Sequence, residues 1–325
     1  MQTLANPSVR PGGRVLHVGP LALDTPTRGL PGLPRRLQQI WSEARFTAAG
    51  RVFDAARRLR PEVVILDGPL LGEWSAPLRG PAFLSTQMSS LGGIPVVWRA
   101  AGHDDPATWP SWAAVSNAVL PEPGETAEFR DGRIQIRNAA PGLTMMFDGS
   151  ELNTDRAASP QSTGEVGPHG VTLLEAGGGR TFIATDSVRF HERTIDATDG
   201  SRWQQLLATM RRHMAAVASS EGDDDACDMH VVRWTVRGHG AAWQRLHAAG
   251  PLADLLDSLR EEADSFDGLP VWAEAIRATA DETQQARWAD DTTPVGRFAA
   301  RVAAGEQRPL TDAAVTGAIG LTLIN

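Results

Sequence analysis

Three short apolar runs, set far apart along the chain, limit what it can fold into more than any other feature. They are Arg14 to Val18 (RVLHV), Glu62 to Leu66 (EVVIL) and Ile94 to Trp98 (IPVVW). Continuous apolar runs of this length suit strands covered on both faces, as in a parallel sheet layered with helices. Between the first two runs, apolar residues recur at Leu37, Ile40, Trp41, Ala44, Ala48, Val52, Ala55, Ala56 and Leu59. That spacing puts them on one side of a helix over 35–59, which Pro61 punctuates. Between the second and third runs, Pro81 to Leu91 reads as another helix, stopped by Gly92-Gly93. Strand, helix, strand, helix, strand predicts an α/β layer in which the three runs are neighbouring parallel strands.

After Pro110 the pattern changes. Glu125 to Phe129 and Arg133 to Arg137 flank Asp131-Gly132, a hairpin signal. Residues 138–168 are rich in Gly, Pro, Ser, Asn and Asp, with little periodicity. Val171 to Glu175 and Thr181 to Thr185 bracket Gly177-Gly178-Gly179 and predict a second hairpin. This triplet is no phosphate loop, because no Lys-Ser/Thr follows it and no helix begins there.

A third region begins near Ser187. Val188 to Ile195 and Met229 to Val236 alternate as half-buried strands. Arg202 to Val217 carries a helical stripe of Trp203, Leu206, Leu207, Met210 and Met214, which is core packing. The acidic run Asp223 to Asp225 reads as a solvated linker, since it lacks the alternate oxygen ligands and terminal Glu of a calcium loop. Ala241 to Ala249 and Leu252 to Ala263 are helical. From about Trp272 onward the chain reads as Ala- and Arg-rich helix. The expected organisation is a disordered leader over 1–13, a domain over 14–186, a small α+β unit over 187–270 and a helical tail over 271–325.

At this stage the ordered segments resemble a family. RVLHVGPLALDTPTRGLPG (Arg14 to Gly32), EVVILDGPLLGE (Glu62 to Glu73), GIPVVWRAAGHDDP (Gly93 to Pro106) and SPQSTGEVGPHGVTLLE (Ser159 to Glu175) follow the order and spacing of the SbcD/YhaO-type DNA-repair exonucleases. Those belong to the calcineurin-like metallophosphoesterase superfamily, and the resemblance runs over roughly the first four-fifths of the chain. It implies a sandwich of two mixed sheets flanked by helices, followed by a DNA-facing α+β capping domain. It also implies a partner, a coiled-coil ATPase of the SbcC/YhaN type, and possible DNA contacts.

The family's chemistry uses two cations that activate a water for in-line attack on phosphate, held by Asp, His and Asn donors. Here the donors are replaced. The Asp-x-His position reads Pro20-Leu21-Ala22, and the Gly-Asp position reads Gly68-Pro69, so a proline stands where the bridging carboxylate belongs. The Gly-Asn-His-Asp position reads Gly102-His103-Asp104-Asp105. Residues 138–158 hold no histidine, so the two later His motifs are missing. The resemblance therefore implies a degenerate, non-catalytic member with no cofactor. The alternative is a residual phosphoesterase or exonuclease with a rebuilt site, in which His103 and Asp104 act and Mn2+ is the metal. Metal candidates are His103, Asp104, Asp105 and Asp67. As bland readings, Asp67 ends a strand, Asp24 caps a turn beside Pro26, and His17 is a hydrogen-bonded core histidine.

Composition bounds the partners. The 325 residues carry a formal net charge of −8, which argues against a strongly basic nucleic-acid binder. All basic residues except His are Arg, and within 181–250 acids and bases nearly balance. The single cysteine, Cys227, reads as a thiol in a reducing compartment. No apolar segment is long enough to cross a bilayer, so the expected location is cytoplasmic, with no membrane association.

Overall fold

The computed structural model describes most of residues 13–280. Its longer gaps are 26–29, 73–78, 99–103, 106–108, 130–133, 139–142, 153–156 and 220–226, and little is described beyond 280. The chain divides into two compact units, residues 1–191 with 220–231, and residues 192–219 with 232–325.

The first unit is built on β1 (Arg14–Val18), β2 (Val63–Leu66) and β3 (Val96–Trp98). These pair in parallel, Val15 opposite Val63 and Val64 opposite Val96, and β4 (Ala118–Val119) extends the parallel run. On the other side of β1 lie β9 (Gly170–Glu175) and β10 (Arg180–Ala184), both antiparallel to their neighbours. The sheet order is β10-β9-β1-β2-β3-β4.

Each central strand divides its side chains by parity, as a pleated strand must. Leu16, Val18, Val64, Leu66, Val96 and Trp98 join Ala49, Val52, Phe53 and Ala56 of α1 (Arg35–Leu59), together with Leu84 and Met88 of α2 (Arg79–Ser90). Val15, Val63, Ile65 and Val97 turn the other way and pack with Ile134 and Ile136. Those two belong to β6 (Ile134–Asn138), in a second sheet of order β5-β6-β7-β8, with β5 at Thr126–Phe129, β7 at Leu143–Phe147 and β8 at Ser150–Leu152. This sheet is antiparallel throughout, so the expectation of two mixed sheets is corrected for it. Its consecutive strands are separated by only four, four and two residues, and such short connections suit antiparallel pairing. The strands β7 and β8 fall where sequence pattern showed little.

The inner face of α1 is broader than its hydrophobic spacing predicted. Leu37, Ala44, Val52 and Phe53 are buried, but Trp41 is half-buried and meets the Phe190 ring edge-on at 5.8 Å between centroids. Arg51 of α1 donates to both carboxylate oxygens of Asp228 at 2.8 Å, and Ser187 Oγ donates to the same group. Asp186 is fully buried and takes a bidentate Arg189 guanidinium at 2.8 Å.

The second unit is organised on a sheet of order β11-β12-β13: β11 at Val188–Ala197, β12 at Met229–Gly238 and β13 at Val271–Ala280. Ile195, Ala197, Val232, Trp234, Val236, Val271 and Ala273 share a core with Leu206, Met210, Met214 and Val217 of α3 (Trp203–Ala218). Also in that core are Trp243 of α4 (Gly240–Arg245) and Leu255 and Leu259 of α5 (Ala249–Arg260). The expected helical tail is corrected over 271–280, which is a strand. Both Glu274 oxygens there accept from Arg233 Nη2 of β12, at 2.8 and 2.9 Å, a cross-strand pair that sheet geometry favours. The remainder of the expected tail lies almost wholly outside the described residues.

Candidate functional site

Ligand sites of α/β sheets lie beyond the carboxyl ends of the parallel strands. In this chain those ends are β1, β2 and β3, followed by the loops at 19–25, 67–72 and 104–105. The first two loops are tied by backbone. The N–H groups of Leu21 and Ala22 donate to Pro69 O at 3.0 and 3.1 Å, and Leu23 N–H donates to Leu70 O at 2.9 Å. Gly68 makes this approach feasible. Its φ is +109°, and a Cβ there would stand 2.7 Å from Pro20 Cγ. Ala22 adopts φ +45°, a left-handed conformation that costs a non-glycine residue about 1–2 kcal/mol. The buried Arg45 of α1 holds it there by donating to Ala22 O at 2.8 Å. Burial moves the Arg45 guanidinium below its ordinary pKa, and the Glu165 charge opposes that shift.

The third loop is joined by a side chain. Asp104 is 2% exposed. Its Oδ2 accepts from Leu70 N–H at 2.8 Å and its Oδ1 from Leu71 N–H at 2.9 Å. One carboxylate thus links the loop after β3 to the loop after β2.

What these loops point inward is apolar. Leu21, Leu23, Leu70 and Leu71 are all buried in the core that lies under α1 and α2. Beside them, Trp98 stacks on Trp109 at 5.0 Å, and Trp112 meets both rings edge-on at 5.8 and 5.6 Å. Trp98 and Trp109 are buried in the same core. Sequence reading passed over this aromatic trio, because the spacing 98, 109, 112 follows no helical or strand period.

Among the described residues, the candidates do not form a metal-binding cluster. Asp67 lies just past β2, partly exposed, with Oδ2 3.4 Å from Nε2 of the buried His17. Asp105 is exposed. His103 lies outside the described residues. Asp24 sits against the start of α2, where a Cβ on Gly80 would be 2.2 Å from its Oδ2. That oxygen is buried with no hydrogen-bond partner. Burial raises the Asp24 carboxyl above its ordinary 3.8, and Arg79 partly offsets the effect.

The described residues of this edge do not fit a pair of divalent cations. Pro20, Ala22 and Pro69 have no side-chain donor, both Asp104 oxygens accept from backbone N–H groups, and one Asp67 oxygen faces His17 at 3.4 Å. Among the described residues, no group of three or more His, Cys, Asp or Glu is arranged to hold a metal ion. Nor, among them, is any helix long and apolar enough to cross a membrane.

With this geometry in hand, two similarities are informative. Residues 190–281 match the family model described as the middle domain of the metallophosphoesterase YhaO. That span contains α3, β12, α4, α5 and β13 whole, and most of β11. The uncharacterized metallophosphoesterase YhaO of Bacillus subtilis (strain 168) is 29% identical over 126 residues, which cover 36% of this chain and 30% of that protein. The chain therefore spans about a third of the length of this relative. Both are similarities to YhaO metallophosphoesterases, and the mixed α/β first unit is compatible with a metallophosphoesterase-like fold.

Proposed function

We propose that this chain is a degenerate metallophosphoesterase-fold protein of the SbcD/YhaO kind that does not cut phosphoesters. We further propose that it serves as a subunit of a DNA-repair complex with a coiled-coil ATPase of the SbcC/YhaN type. One observation carries the non-catalytic part: the loops at the carboxyl edge turn Leu21, Leu23, Leu70 and Leu71 into the core, and Asp104 locks two of them together. In-line hydrolysis needs a polar, water-filled recess with cations to activate the nucleophile and clamp the leaving oxygen. Buried leucine side chains supply neither. The partner half of the proposal draws on the resemblance of the ordered sequence segments and on similarity to YhaO.

The rebuilt-site alternative asks Asp104 to join His103 as a ligand. Asp104 would then abandon two buried N–H groups, each costing about 1–3 kcal/mol when left unsatisfied. The test is a cleavage assay on single- and double-stranded DNA with added Mn2+. We expect no cleavage above the metal-only control. Robust cleavage that disappears in His103→Ala establishes the alternative instead. Co-expression with a coiled-coil ATPase of the stated type tests the second half: co-elution on size exclusion is expected, and separate elution removes the complex.

A further inference from the structure

We draw no further inference here: the strongest candidate, the side-chain cluster of Cys227, His230 and His191 where β11 and β12 begin, rests on a lone cysteine and on hydrogen bonds within the cluster, and nothing among the described residues shows what it would bind.

Discussion

Asp104 occupies the segment where resemblance places a metal-binding loop, and its two oxygens accept backbone N–H groups. Replacing it with alanine leaves both N–H groups buried and unsatisfied, so Asp104→Ala should lower stability by about 2–4 kcal/mol in urea unfolding. Asp104→Asn keeps one acceptor and should lose less. Neither loss should change when EDTA is added, and a loss that appears only with divalent metal present would point to a ligand role. Asp24 is the opposite case. Its folded pKa lies above its ordinary 3.8, so the ionised form opposes folding. The stability linked to it is present below pH 3.8 and is lost as pH rises through the folded value. Asp24→Asn should therefore raise the melting temperature at pH 7, with the gain vanishing toward pH 3. A lower melting temperature at pH 7 would show that the Arg79 attraction outweighs burial.

Among the elements, the aromatic trio and the long helix separate two kinds of tryptophan. Trp98 is fully buried and touches two other indoles. Trp98→Ala should cost about 3–5 kcal/mol. Trp41 is half-buried with a single edge contact to Phe190, so Trp41→Ala should cost less, about 1–2 kcal/mol. Equal losses in chemical denaturation would mean that the helix turns a different face inward. The elements that periodicity marked clearly, β1 to β3 and α1, were legible because each buries a continuous or evenly spaced apolar set. β7 and β8 were not, since Gly, Ser, Asn and Asp dilute the alternation around them. β13 was mistaken for helix because VWAEAIRATA is rich in alanine, and its strand state depends on pairing with β12, including Glu274 with Arg233. At the candidate site, the absence of side-chain donors at Pro20, Ala22 and Pro69 could be read directly. The role of Asp104 could not, because its partners Leu70 and Leu71 lie more than thirty positions away.

The whole molecule joins two units that carry different evidence. The second contains most of the span that matches the YhaO middle-domain model. The first holds the edge where the sequence-level resemblance expects metals and the structure places leucines and tryptophans. The central claim concerns that edge. Its most direct test is elemental analysis of the chain after equilibrium dialysis against Mn2+, with a matched melt in Mn2+ and in EDTA. The account predicts no stoichiometric manganese and the same melting temperature in both buffers. Two manganese ions per chain, with a melting temperature that rises in Mn2+ and falls in EDTA, would contradict it.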